Sequence, residues 1–226
     1  MLHELKDLIG HTVHAEDGEI GHIRTFLFDD RSWKVRFLVV DVGRWLTRRE
    51  VVLPTAAVEH PEWDKKLCRV RLTKEQVCES PDVDTERPVS RQQELAMEEY
   101  YGAFGWWVNR EFGLSGLPAF REFPVHAQED SHLRSTSHVL GYDVFVPSGG
   151  KGRLEGFVLD EELWHLSYLD VKLEGWLSGR SVLIPTQWVE GIYWATHQIF
   201  SHHASAPVPT EASDSVRNSG PLQATT

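Results

Sequence analysis

Adjacent carboxylates are the most suggestive chemistry in this 226-residue chain, and they occur in two turns, Asp29-Asp30 and Asp160-Glu161-Glu162. Such pairs could handle a proton or hold a divalent cation. They lack the alternating ligand spacing of a calcium loop, and an Asp at a hairpin turn ordinarily caps backbone N–H groups. The turn reading is therefore preferred. His11, His14 and His22 gather near one predicted hairpin, while His197 and His202-His203 lie near the C-terminal end. Imidazoles so grouped could ligate a metal or sit on the surface as ordinary side chains. Cys68 and Cys78 form neither a disulfide framework nor a CxxC pair. Cys68 falls in the alternating segment Leu67–Leu72, where a thiol acts as a small apolar side chain.

No Gly-x-Ser-x-Gly elbow and no glycine-rich phosphate loop is present in the sequence. The chain is therefore expected to be no enzyme, to carry no cofactor and to hold no metal. Tryptophan and arginine remain. Trp45 and Trp176 lie in loops with Arg49 and Arg180 close by, and Trp106-Trp107 sit together in mid-chain. Trp with Arg at a rim is the usual make-up of an interface hot spot. Trp45, Arg49, Trp106, Trp107, Trp176 and Arg180 are accordingly the candidate partner-binding residues. The competing reading is that these Trp, with Trp33 and Trp164, close the ends of small β-units.

The elements that must position these residues follow from composition and from repetition. A 41% hydrophobic and 25% charged chain of this length is ordinary for one large or two small globular domains. Its net charge of −11 repels phosphate backbones, and no run of Lys and Arg is longer than the Arg48-Arg49 pair, so nucleic acid is disfavoured as a partner. The N-terminal Met1-Leu-His-Glu-Leu-Lys-Asp has no apolar signal region. No stretch approaches the ~18 apolar residues of a membrane span. A soluble, cytoplasmic protein without a transmembrane segment is expected.

Shifting the sequence by 131 residues aligns Gly10–Glu59 with Gly141–Glu190 without a gap. Identical pairs include Gly10/Gly141, Gly21/Gly152, Phe26/Phe157, Asp29/Asp160, Trp33/Trp164, Trp45/Trp176, Arg49/Arg180, Pro54/Pro185 and Thr55/Thr186. Identity concentrated in Gly, Trp and Pro marks a duplication of one structural unit. The histidines do not follow it: His11, His14 and His22 become Tyr142, Phe145 and Arg153.

Each copy punctuates as an all-β unit. In the first, Thr12–Ala15 leads to an Asp17-Gly18 hairpin step, then Ile20–Phe28, an acidic turn, a strand from Trp33 to Val42, and Glu50–Leu53 closed by Pro54. Leu38, Val40 and Val42 become Leu169, Val171 and Leu173, whereas Val39 and Asp41 become Asp170 and Lys172. Side chains alternate across a strand, so the first set is expected in the core and the second mostly in solvent. Between the copies, Ser90 with Gln93 is a capping-box signature before a helix at Arg91–Tyr101. The aromatic, glycine-punctuated segment after it reads as packing material between the units. Beyond residue 196 the chain is small, polar and proline-interrupted, and is expected to be a disordered tail.

The runs Gly10-x-x-Val13, Asp17-Gly-Glu-Ile-Gly21-x-Ile23, Phe28-Asp-Asp30, Leu38-Val-Val-Asp41 and Val51-Val-Leu-Pro54 resemble the PRC-barrel domain. The second copy keeps the frame as Gly141-x-x-Val144, Gly152-x-Leu154, Leu159-Asp-Glu161 and Val182-Leu-Ile-Pro185, without the Asp-Gly-Glu turn. The segment Pro88–Glu94 with Tyr100-Tyr101-Gly102 and Trp106-Trp107 is similar to the connector of stand-alone two-barrel members. The resemblance covers roughly residues 2–195. It implies a small β-barrel of the kind found in the cytoplasmic part of the photosynthetic reaction-centre H subunit and in a ribosome-maturation factor, and a docking role on larger assemblies. The expected architecture is all-β: a first barrel at 1–80, a helical and aromatic connector at 81–131, a second barrel at 132–196 and a tail at 197–226. The expected function is a non-catalytic interaction or scaffold module whose partner is a protein or assembly, self-association included. The alternative is a small ligand or metal in a cleft between barrels, with an electron- or proton-transfer accessory role.

Overall fold

The computed structural model describes residues 1–43, 50–81, 91–102, 132–146, 150–174, 181–202 and 208–209. Runs of β-branched and aromatic residues bounded by Gly, Asp and Pro become its strands. The first half holds β1 (Leu2–Glu4), β2 (Thr12–Ala15), β3 (Gly18–Asp29), β4 (Val35–Asp41), β5 (Glu50–Pro54) and β6 (Leu67–Arg69), then α1 (Lys74–Cys78) and α2 (Arg91–Gly102). The second half holds β7 (Leu133–Ser135), α3 (Thr136–Val139), β8 (Asp143–Phe145), β9 (Lys151–Asp160), β10 (His165–Leu173), β11 (Ser181–Pro185), β12 (Val189–Tyr193), β13 (Gln198–Ser201) and β14 (Val208–Pro209). Helix α2 falls where the sequence placed it; Ser90, half of its expected capping box, lies outside the described residues.

The backbone recurs at the offset seen in the sequence. Gly10 and Gly141 have φ of 82° and 84°, Trp33 and Trp164 of 58° and 51°, and Lys66 and His197 of 51° and 53°. The last pair carries the correspondence beyond the stretch that sequence identity covers. It follows two single 3-10 turns, Trp63–Lys65 and Trp194–Thr196, each starting on a tryptophan.

The fold is mostly β and forms two sheets. One runs β12-β13-β8-β9-β10-β11-β14, with β1 added to β9; the other runs β5-β4-β3-β2-β6, with β7 added to β3. Both strand orders are open, which corrects the expectation of closed barrels. The reason lies at Pro54 and Pro185, where the missing N–H ends a ladder. The chain then turns a corner through Thr55–Ala57 or Thr186–Trp188. Both corners are pinned by a threonine hydroxyl, Thr55 donating to the Arg36 carbonyl (3.2 Å) and Thr186 to that of Leu166 (2.8 Å). After the first corner isolated bridges form, Val58 with Val70 and Glu62 with Leu67. After the second, β12 pairs with β13. That strand also corrects the expected tail at 197–226, since Gln198–Ser201 is laddered on both sides and Ile199 is fully buried. Two apolar residues in a four-residue strand are too few to signal it in sequence.

Each sheet takes its added strand from the other sequence copy. Leu2–Glu4 and Leu133–Ser135 are counterparts at the 131-residue offset, yet β1 lies antiparallel on β9, with Leu2 opposite Asp160 and Glu4 opposite Val158. Conversely, β7 lies on β3. Leu2 packs against buried Val158, Tyr168 and Leu183, and the Glu161 N–H donates to the Met1 carbonyl (3.1 Å). The residues accordingly sort into two compact units. One gathers Met1–Ile9, Asp29–Val35 and the chain from Thr136 onward; the other gathers Gly10–Phe28 and Arg36–Ser135. Within the first unit the two acidic hairpin tips pair reciprocally. Val35 N–H donates to the Trp164 carbonyl (2.7 Å) and Leu166 N–H to the Trp33 carbonyl (2.9 Å), around the bridge Lys34–His165. Left-handed Trp33 and Trp164 each end their turn so that this pairing is possible.

In the second unit, Leu38 and Val40 are fully buried as expected, but so is Val39, which the alternation put in solvent. Helix α2 supplies the reason. Its Met97 and Tyr101 are fully buried, and the Tyr101 hydroxyl donates to the carbonyl of Val52 (2.6 Å), which lies opposite Val39 across β4–β5. Burying side chains of this size contributes ~1.5–3 kcal/mol each. In the first unit the equivalent residues Asp170 and Lys172 stay at least partly exposed, as the alternation requires.

Two outcomes are expected. A Cβ at Gly21 would run into the Asp41 carbonyl and lie 2.9 Å from the Val42 Cα. Gly21→Ala should therefore cost about 1–3 kcal/mol in urea unfolding, and an unchanged midpoint would contradict this close strand approach. Half-buried His165 is held below its usual pKa chiefly by burial, helped by Lys34 and opposed by Asp160 and a Ser32 backbone bond. The unfolded chain then takes up this proton first as pH falls through ~6.5. Stability should drop as pH falls through and below ~6.5, and His165→Gln should flatten that part of the profile.

Candidate functional site

The six partner-binding candidates, Trp45, Arg49, Trp106, Trp107, Trp176 and Arg180, all lie outside the described residues. The acidic turns are placed clearly. Asp29 Oδ1 accepts from the N–H groups of Arg31 (3.1 Å) and Ser32 (2.7 Å) and from the Ser32 hydroxyl. Asp160 Oδ1 accepts from the Glu162 N–H (3.0 Å). Both carboxylates thus shape turns. Glu161 differs, since its carboxylate is buried and stands 3.5 Å from His3 Nε2, on the strand added to β9. Among the described residues no His, Cys, Asp and Glu converge in a metal-holding group.

His11 is buried rather than available for ligation. Its ring meets Trp63 edge-on at 5.8 Å, and the counterpart Tyr142 meets Trp194 the same way at 5.7 Å. The same edge-to-face pair therefore packs both copies, with an imidazole in one and a phenol in the other. Trp63 and Trp194, beyond the stretch that defines the repeat, are a further identical pair, and both are half-buried.

Where the copies part company is on the outward side of β8, β13 and β12. Phe200 lies opposite Phe145 across the parallel β13–β8 ladder and opposite Gly191 across β13–β12, while Phe145 lies opposite Lys151 across β8–β9. One row thus crosses four strands. The rings of Phe145 and Phe200 stack at 5.1 Å with 16° between planes, and Tyr193 meets Phe200 edge-on at 5.3 Å. Gly191 makes room for Tyr193, whose ring covers it; a Cβ there would sit 3.5 Å from the ring. The Lys151 ammonium ends the row 6.0 Å from the Phe145 centroid and is held by Asp143 (3.1 Å) and Glu174 (3.7 Å). Tyr193 is 48% exposed, and both Phe are half-buried.

At the positions of Phe145, Phe200 and Tyr193 the first copy carries His14, Arg69 and Glu62. There Arg69 Nε donates to Glu62 (2.9 Å), and Lys65 also binds that carboxylate. Glu62 is held below its usual pKa by these hydrogen bonds, first that of Lys65 and then that of Arg69. The same backbone frame thus accepts a solvated ion pair at this place. Its aromatic row in the second copy is not something the frame requires.

Sequence reading passed over this row for an identifiable reason. The change from His14 to Phe145 was visible, but Phe145 and Phe200 are 55 residues apart. Only the parallel β8–β13 ladder brings them together, and Phe200 fell in the expected tail. The cysteines offer no competing site. Cys68 is fully buried, and burial pushes its thiol up to about 12, so it is not a nucleophile at neutral pH. Titration with a thiol reagent at pH 8 should modify Cys78 alone in the native protein and both thiols after denaturation. Fast native reaction of two thiols would show that the β2–β6 ladder opens readily.

No curated protein matches the chain. The family model of the PRC-barrel domain matches residues 2–74, which span β1 to the start of α1. With its long β3–β4 hairpin, proline-ended β5 and parallel β2–β6 pair, this first segment of the chain is similar to the PRC-barrel domain.

Proposed function

We propose that the chain is a non-catalytic protein-interaction module, in which the second sequence copy is a further domain of the PRC-barrel kind specialised for docking. The observation that carries this reading is the aromatic row Tyr193–Phe200–Phe145 at positions where the first copy keeps an ion pair. Half-exposed aromatic rings on a rigid sheet are the usual anchors of protein interfaces. The row also has a preferred partner chemistry. Its one built-in neighbour is a cation, Lys151 over Phe145, and Asp143, Glu174 and exposed Glu190 lie on the strands and loops around it. With a chain charge of −11, a basic protein segment presenting arginine fits best, since guanidinium groups stack on aromatic faces and pair with carboxylates.

The two copies supply their own control. Tyr193→Glu with Phe200→Arg installs the residues of the first copy, whose equivalent backbone already holds that pair. The doubly substituted chain should keep its near-ultraviolet dichroism and thermal midpoint within a few degrees. An arginine-glycine repeat peptide should bind the original chain more tightly than a lysine-glycine peptide of equal charge. The double variant should lose about 10-fold of that affinity, equivalent to ~1.4 kcal/mol. Calorimetric titration in 150 mM salt, near the physiological level of screening, reads the difference. Equal binding by the two proteins would remove the row from the function.

A further inference from the structure

Lys151 stands where the first copy has Ile20, and the two hairpins aim these side chains differently. In the first copy the β2–β3 ladder shifts register between Val13 and His14, with Val13 opposite Gly21 and His14 opposite Glu19. Ile20 is the extra residue of that bulge, and it is buried in the core. The β8–β9 ladder keeps step, with Asp143 opposite Arg153, Val144 opposite Gly152 and Phe145 opposite Lys151. Directly opposed residues share a face of the sheet, so Lys151 stands outward beside Phe145.

The backbone also delivers two carboxylates to this lysine. Asp143 precedes Phe145 by two residues on β8 and shares its face, and the Glu174 N–H donates to the Lys151 carbonyl (2.9 Å). The ammonium lies 3.1 Å from Asp143 Oδ2, 3.7 Å from Glu174 Oε2 and 6.0 Å from the Phe145 centroid. At the positions of Asp143, Glu174 and Phe145 the first copy has Thr12, Gly43 and His14. The shared frame therefore requires none of these four side chains. Two carboxylates beside an aromatic face make a site for a cation, and the chain fills it with a lysine of its own.

We propose, on the reading of the aromatic row as a docking surface, that Lys151 is a built-in competitor: its ammonium fills the cation site of Phe145, Asp143 and Glu174, and an arginine of the partner segment binds there by displacing it. The Lys151 side chain is 41% exposed and that of Glu174 46%, so water screens the resident pair and keeps it weak. A guanidinium binds a carboxylate through two parallel N–H groups and lies flat on a ring, whereas an ammonium is a hydrated point charge. The advantage of the lysine is its tether, which holds it beside the site at high effective concentration. Lys151 thus raises the threshold for docking and selects arginine over lysine in the partner.

Calorimetric titration of the full chain with the arginine-glycine repeat peptide reads the competition. Lys151→Gln should bind the peptide about 10-fold more tightly than the original chain. Lys151→Arg keeps a cation at the site and should bind no more tightly than the original. Lys65→Gln takes the same charge from the other unit and should change affinity by less than about two-fold. In the original chain, reductive methylation followed by mass spectrometry should find Lys151 more reactive with the peptide bound, because its ammonium has left the two carboxylates. If the original and Lys151→Gln chains bind the peptide equally, the row still docks arginine and the competitor falls. A gain that Lys65→Gln matches would also overturn it, since net charge alone would then account for the effect. Should neither the original nor the Lys151→Gln chain bind the peptide, the docking reading falls and the competitor with it.

Discussion

The ladder of β1 on β9, with its counterpart of β7 on β3, is the constraint on which the rest of the structure depends. In a simple duplication each copy would complete its own sheet. Here Leu2–Glu4 serves the long strand of the second copy and Leu133–Ser135 that of the first. Neither copy contains its full set of strands in its own contiguous sequence. Leu2 adds to the cluster of Val158, Tyr168 and Leu183, and Leu5 and Leu8 behind it are buried. Removing either leading strand would expose an edge on the other copy's longest hairpin, with its backbone groups unpaired. The reciprocal bonds between Trp33–Val35 and Trp164–Leu166 follow the same logic at the hairpin tips.

This interleaving explains which repeated residues are shared and which are not. Gly10/Gly141 and Trp33/Trp164 hold left-handed backbone in both copies. Thr55/Thr186 pin equivalent corners. Trp63/Trp194 pack on His11/Tyr142. Each is needed for the frame, so each survives duplication. Positions that face outward are released from that requirement, and there the copies diverge. An ion pair between Glu62 and Arg69 answers to an aromatic row through Tyr193 and Phe200. A frame that tolerates both does not require the exposed rings for folding.

The sheet edges diverge as well. On β5 the outer carbonyl of Val52 is taken by Tyr101, and α2 buries the adjoining face so completely that Val39 is lost from solvent. On β11 the counterpart Leu183 lies opposite Val208 of β14. Among the described residues no helix is long and apolar enough to cross a membrane. The surface that distinguishes the second copy is an aromatic row crossing β12, β13 and β8.

Sequence by itself determined the β character, the repeat and its offset, the helix expected at Arg91–Tyr101 and the inward residues Leu38, Val40, Val42, Leu169 and Val171, while Leu173, expected with them, is only half-buried. All of these rest on local propensity, turn chemistry or identity between copies, which are read along the chain. It also gave the acidic turns their structural reading, since an Asx turn closes within three residues. Only the tertiary structure decided which copy receives which leading strand, because Leu2–Glu4 has the same chemistry whichever long strand it joins. Only the tertiary structure aligned Phe145 with Phe200, made Gln198–Ser201 a strand and left the sheets open at their proline-ended corners. Pairing between residues far apart in sequence is set by the balance of loop closure and burial over the whole chain, and no local pattern records that balance.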